Sequence, residues 1–212
     1  MNEINKSKRL LKRYVLQSIA MIMIGVGISM CDHARMGTDP FSVFLKGTSI
    51  VFGISLSLSN AVWCLAQVGF ALFLDRRHVS FGTVLSVFTS SLGISLMDAI
   101  LPETVASLGM RIALMLMGIA VYAFGVGFSQ YPDVGFSTYD CFIFSLGRIF
   151  HRDDYHTLRW IADGANLVIG WLLGGTVGIA TILCLVLVGK IAESVLQMFN
   201  EKFGSCVPKA GK

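Results

Sequence analysis

Gly37-Thr38-Asp39-Pro40-Phe41-Ser42-Val43-Phe44 aligns without a gap to Gly135-Phe136-Ser137-Thr138-Tyr139-Asp140-Cys141-Phe142, 98 residues further along the chain. The same offset pairs Phe52 with Phe150, Leu74 with Leu172, Val79 with Val177, Thr83 with Thr181 and Leu85 with Leu183. Upstream, Gly25-Val26-Gly27 recurs as Gly125-Val126-Gly127 at an offset of 100. The chain is thus written twice. In an apolar chain such a duplication predicts two membrane repeats, an architecture in which small-molecule sites lie between the halves near the bilayer midplane.

Of the 212 residues 54% are hydrophobic and 14% charged, with a mean hydropathy of +0.70. An ordinary soluble domain carries roughly 25% charged residues, so the composition places the chain in a lipid bilayer. The net charge of +4 does not point to nucleic acid, because the basic residues gather at segment ends and are not interleaved with aromatics on one face. Cys31, Cys64, Cys141, Cys184 and Cys206 are odd in number and scattered, which gives neither a disulfide framework nor a zinc site. Buried, inert thiols are expected.

Six apolar segments approach the roughly 20 residues needed to cross the hydrocarbon: 14–33, 57–75, 79–100, 109–130, 157–173 and 176–197. The first is expected to be a retained span, since no small-x-small cleavage site follows it. Two shorter apolar pieces, 39–52 and 137–150, open with Asp39-Pro40 and Ser137-Thr138-Tyr139-Asp140. Both openings are helix-start signals, an oxygen side chain for the free N–H groups followed, in the first, by Pro at the first helical position. The predicted fold is an all-α polytopic membrane protein with six transmembrane helices and two short re-entrant helices. Each repeat reads span, short helix, span, span. Thirteen basic residues, among them Lys6, Lys8, Arg9, Lys12 and Arg13 at the start and Arg76, Arg77 and Arg152 in loops, fall on one side; Arg35 and Arg111 fall on the other. The positive-inside bias predicts cytoplasmic termini, and three spans per repeat then make the copies inverted. The expected organisation is a basic cytoplasmic N-terminus (1–13), a first membrane repeat (14–105), a second (106–198) and a cytoplasmic C-terminal tail (199–212).

Gly37-Thr38-Asp39-Pro40-Phe41-Ser42, Gly82-Thr83 and Leu173-Gly174-Gly175-Thr176-Val177-Gly178-Ile179-Ala180-Thr181 resemble the YczE/YitT family of bacterial integral membrane proteins. The corresponding stretches there look like G-x-x-P-W-D, G-T and L-G-G-x-x-G-x-G-T. This chain has Phe41-Ser42 in place of Trp-Asp and Ala180 in place of the last Gly. The resemblance covers nearly the whole chain and implies a multi-span protein of the bacterial cytoplasmic (inner) membrane, of a kind suspected of transport. It supplies no substrate.

Candidate site residues lie first at the two short-helix starts: Asp39, Ser42, Thr138, Tyr139 and Asp140. A helix start inside the membrane presents free N–H groups and a positive dipole end to an anion or carboxylate; the plainer reading is that Asp39 and Ser137 only cap their own helices. Within the spans, Arg159 and Asp163 are four residues apart, on one helical face, and are expected to pair or to serve ion coupling. Asn60, Gln67 and Asn166 are expected to line the same interior. Asp98, Lys190 and Glu193 sit near span ends and read as snorkelling or locally paired. The many glycines in the spans, Gly25, Gly27, Gly118, Gly125, Gly127, Gly164 and Gly170 among them, read as packing positions.

No phosphate-binding loop, H-E-x-x-H or nucleophile elbow occurs, so no enzyme chemistry, cofactor or metal is expected. His151 and His156 flank a polar loop at a spacing unsuited to a shared metal. The functional expectation is a secondary transporter or exporter of a small anionic or amphipathic solute, binding between the inverted repeats. The alternative is a membrane regulator or scaffold that acts through a protein partner. Expected partners are the lipid bilayer and a solute, not nucleic acid, with a homodimer or membrane-protein partner left open.

Overall fold

The computed structural model describes residues 2–74, 79–102, 105, 107–132, 134–151 and 155–203. Among them lie eight helices and no strand: α1 (Asn2–Ala34), α2 (Pro40–Phe52), α3 (Leu56–Leu74), α4 (Phe81–Ile100), α5 (Leu108–Gln130), α6 (Thr138–Phe150), α7 (Tyr155–Leu172) and α8 (Ile179–Phe203). Five, namely α1, α3, α4, α5 and α8, are long and apolar enough to cross a membrane. The expected span 157–173 is α7, which carries Arg159 and Asp163 and is not one of those five. Arg76, Arg77, Arg152, Cys206, Lys209 and Lys212 lie outside the described residues, as do the side chains of Lys6 and His156. α1 begins at Asn2 and α8 runs on to Phe203.

The helices recur at the offset seen in the sequence. Residues 40–52 form α2 and 138–150 form α6; α4 and α8 start at Phe81 and Ile179, and α3 and α7 end at Leu74 and Leu172. Packing recurs with them. α1 lies along α4 as α5 lies along α8, and α2 packs on α7 as α6 packs on α3. The short helix of each half therefore belongs, by packing, with the other half. α1 and α5 form the centre and run antiparallel: Arg13 Nε donates to Pro132 O at the far end of α5, and Arg111 Nε donates to Ala34 O at the far end of α1, 2.8 Å away. Arg111 is 98 residues beyond Arg13 and Pro132 is 98 beyond Ala34. Each guanidinium thus answers a carbonyl near the end of the partner helix, where intrahelical donors have run out.

Two glycines hold the crossing loops. Gly37 has φ +98° and Gly135 φ +137°, both in the region that L side chains avoid. A Cβ on Gly37 would lie 2.6 Å from Gly178 N and from Thr181 Oγ1, and one on Gly135 would collide with Ser80 Oγ. The loop before each short helix is seated on the first turn of the other half's last helix. Thr83 Oγ1 donates to Phe136 O at 2.8 Å, and Ala180 N donates to Met36 O at 2.9 Å. This docking accounts for the paired Gly-Thr and Ala-Thr motifs: Thr83 and Thr181 close their own helix starts by accepting from Ser80 N and Gly178 N.

The halves differ at one seam. α3 packs along α4, joined by Ser57, Asn60, Ser90, Ser91 and Ser95. The equivalent helices α7 and α8 do not pack along each other: among the described residues α7 lies on α2 and α6, and α8 on α5. Gly164, read as a packing glycine, faces open space on this parted helix, with nothing within 4 Å of a built Cβ.

Candidate functional site

Each short helix begins with a hydroxyl–carboxylate pair three residues apart, in opposite order. At α2, Asp39 is the N-cap and accepts from Ser42 N at 3.2 Å and Ser42 Oγ at 2.5 Å. At α6, Ser137 is the N-cap, accepting from Asp140 N at 3.2 Å while its own hydroxyl donates to Asp140 Oδ2 at 2.8 Å. The capping reading of Asp39 and Ser137 therefore holds. The order matters for chemistry. In α2 the carboxylate is engaged by its own helix, whereas in α6 it sits inside the first turn and keeps an oxygen, Oδ1, for another partner.

That partner is Arg159. Its NH1 donates to Asp140 Oδ1 at 3.2 Å, while its Nε stands 3.9 Å from Asp163 Oδ2. The pairing expected from the i,i+4 spacing is present, but the shorter contact is across helices. The guanidinium also lies over the Tyr139 ring, 5.6 Å from its centroid. Tyr139 donates its hydroxyl to Asp163 Oδ1 at 2.5 Å and accepts from Asn166 Nδ2 at 3.2 Å. A continuous network of Asp140, Arg159, Tyr139, Asp163 and Asn166 thus joins α6 to α7.

The two helix starts meet. Phe41, one residue into α2 beyond Pro40, packs against Tyr139 with ring centroids 5.2 Å apart and planes tilted by 34°. These are repeat mates, 98 residues apart, so residue and counterpart touch where the halves come together. Among the described residues Asp39 has no basic side chain within ion-pair distance. Asp140 and Asp163 thus share the Arg159 guanidinium, and Asp39, at the start of the facing short helix, stands apart from it. Each short-helix start thus carries a carboxylate, Asp39 on α2 and Asp140 on α6.

The remaining candidates are placed elsewhere. Asn60 donates to Ser90 Oγ and Ser91 Oγ, both at 3.0 Å, in the α3–α4 seam, and accepts from Cys64 Sγ at 3.6 Å. It belongs to a different network from Asn166, and Cys64 reaches Thr138 at the α6 start. Gln67 is buried with Oε1 unpartnered. Asp98, at the end of α4, accepts from Ser29 Oγ and lies 3.8 Å from His33 Nδ1. Cys31, Cys64, Cys141 and Cys184 are buried free thiols. Residue-by-residue reading passed over Phe41 and the Asp32–Lys46 ion pair, 2.7 Å, that ties α1 to α2. The offset of 98 was the signal for Phe41, since it names Tyr139 as its mate; no local pattern announces Asp32–Lys46, which are 14 residues apart.

Fold and site together define an all-helical, multi-span membrane protein with aromatic and ionisable side chains where its two short helices meet. The chain belongs to a family of unknown function, DUF6198, whose model matches residues 11–197. It is similar to the uncharacterized membrane protein YczE of Bacillus subtilis (strain 168), with 24% identity over 188 residues, 87% of this chain and 85% of the relative. An uncharacterized protein of Haemophilus influenzae is 24% identical over 180 residues, 84% and 81% of the two chains. The uncharacterized protein YyaS of Bacillus subtilis is 22% identical over 195 residues, 90% and 96%. No solved structure matches the chain.

Proposed function

We propose that the protein is a secondary carrier built as an inverted repeat, with six membrane-crossing segments, two re-entrant helices and both termini in the cytoplasm. Its solute is a small cationic or amphipathic molecule, bound where α2 and α6 meet. The observation that carries this reading is the junction of the two helix starts through Phe41 and Tyr139, beside the network of Asp140, Arg159 and Asp163. Ionisable groups at such a position in a membrane protein are costly to bury and are typical of solute and ion pathways. Aromatic faces beside carboxylates suit an organic ammonium. The antiparallel α1–α5 centre and the exchanged short helices support the inverted arrangement.

The test has two parts. A cysteine at Arg35 should be labelled by an impermeant reagent from outside intact cells and one at Lys202 should not; equal labelling at both sinks the inversion. Purified protein should then be melted with a panel of organic ammonium, amphiphilic and carboxylate solutes. A stabilising solute names its class, since a ligand that binds the folded state raises its stability. We expect an ammonium or amphiphile to stabilise wild-type protein and to lose at least ten-fold in affinity in Asp163→Asn. Stabilisation by carboxylates alone, undiminished in Asp163→Asn, overturns the cationic reading. A protein that binds none of the panel and drives no flux in proteoliposomes fits the regulator instead.

A further inference from the structure

The seam between α3 and α4 is closed, and its counterpart between α7 and α8 is parted. Two helix pairs related by the repeat have thus taken two different packings in the same molecule, although few of their residues are shared. In a carrier built of inverted repeats the halves can exchange conformations, the closed seam opening as the parted one closes.

The side chains of the closed seam fit that exchange. Ser57 Oγ donates to Ser91 O at 2.7 Å, and Ser95 Oγ donates to Ser57 Oγ at 2.7 Å. Asn60 bonds Ser90 and Ser91. The positions 98 residues beyond Asn60, Ser90 and Ser91 hold Leu158, Val188 and Gly189. A seam that stays dry is served equally well by apolar side chains. Hydroxyls and amides that satisfy one another when closed exchange those partners for water when open, so that little free energy separates the two states. On the parted side, Leu185 is exposed and Gly189 has nothing within 4 Å of a built Cβ, so α8 presents a free surface.

We propose that the α3–α4 seam, held by Asn60 and its serines, is a hydratable gate that opens when α7 closes onto α8. The gate deepens the carrier reading and rests on it, but the two fail separately. Alternation of the seams without flux of any solute removes the carrier and leaves the exchange, whereas flux without alternation does the reverse.

The experiment uses the full chain with its five cysteines replaced by alanine, kept only if it elutes as a single species in detergent. Three cysteines are then introduced by Leu158→Cys, Val188→Cys and Ser91→Cys. Oxidation should form the 158–188 disulfide in membranes. A water-soluble methanethiosulfonate should then label position 91 at least five-fold faster than in the same variant before oxidation. Because either substitution on α7 or α8 can impair folding, Ala162→Cys with Leu185→Cys supplies a second closing pair. Its counterpart, Cys64 with Val87, is packed together in the closed seam. If neither pair forms in a protein of single-species elution, or if a pair forms and position 91 stays as protected as before, the gate is refuted.

Discussion

The start of α2 and the start of α6 meet one local requirement with the same two residue types in opposite order. Asp39 caps α2 and takes both the amide and the hydroxyl of Ser42; Ser137 caps α6 and leaves Asp140 an oxygen for Arg159. The backbone is served equally well by either order, because an N-cap needs only a short side chain with an acceptor oxygen. The electrostatics are not the same. Placing the carboxylate three residues inward turns a cap into one arm of a network that reaches Tyr139 and Asp163. A repeat can therefore conserve its geometry while only one copy acquires the ion-pair chemistry.

The largest effect is expected at the loops that deliver the two starts. Gly37→Ala forces an L residue to φ +98° and drives a Cβ against the backbone of Gly178. The unusual backbone costs about 1–3 kcal/mol, and overpacking adds about 1–3 kcal/mol. Gly135→Ala meets mainly the Ser80 side chain, which can rotate away. Melting curves in detergent should therefore show Gly37→Ala well below Gly135→Ala; the reverse order would break the assignment of the rigid contact to the α2 side.

Next comes the network on the α6 side. Arg159→Gln leaves Asp140 and Asp163 without their shared cation, a loss of about 1–3 kcal/mol, moderated because the Arg159 side chain is 41% exposed. Adding Asp163→Asn should recover at least half of the lost melting temperature, since the second change removes the Asp163 charge that Arg159 had faced. A double variant no more stable than Arg159→Gln would show that Asp163 does not depend on Arg159.

The smallest effect sharpens the comparison most. Asp39→Ala should cost about 0.5–2 kcal/mol as a lost cap. Asp39→Ser combined with Ser42→Asp rewrites the α2 start in the order found at α6, and its melting temperature should return close to that of wild type. A swapped variant as unstable as Asp39→Ala would mean that the order is fixed by the surroundings.

Much of this arrangement was legible in one dimension. The bounds of α2 and α6, both caps, the pairing of Arg159 with Asp163 and the offset of 98 follow from local signals: hydropathy, helix-start chemistry and i,i+4 spacing. The membrane character follows from composition. What the residues alone misplaced was Asn60, expected beside Asn166 and found among Ser90 and Ser91, because a polar side chain in an apolar helix does not say which neighbour it faces.

Only the tertiary structure decided that Phe41 meets Tyr139, that Arg159 reaches across to Asp140, and that α7 parts from α8 where α3 holds to α4. Helix starts, caps and apolar spans are set by interactions within a few residues of chain, and a sequence records those directly. Contacts between segments a hundred residues apart depend on how whole helices cross, and helices related by the offset of 98 can pack in two ways. The sequence by itself determined the repeated helices in their apolar surroundings; the fold decided which copy carries the charge network and which seam stands open.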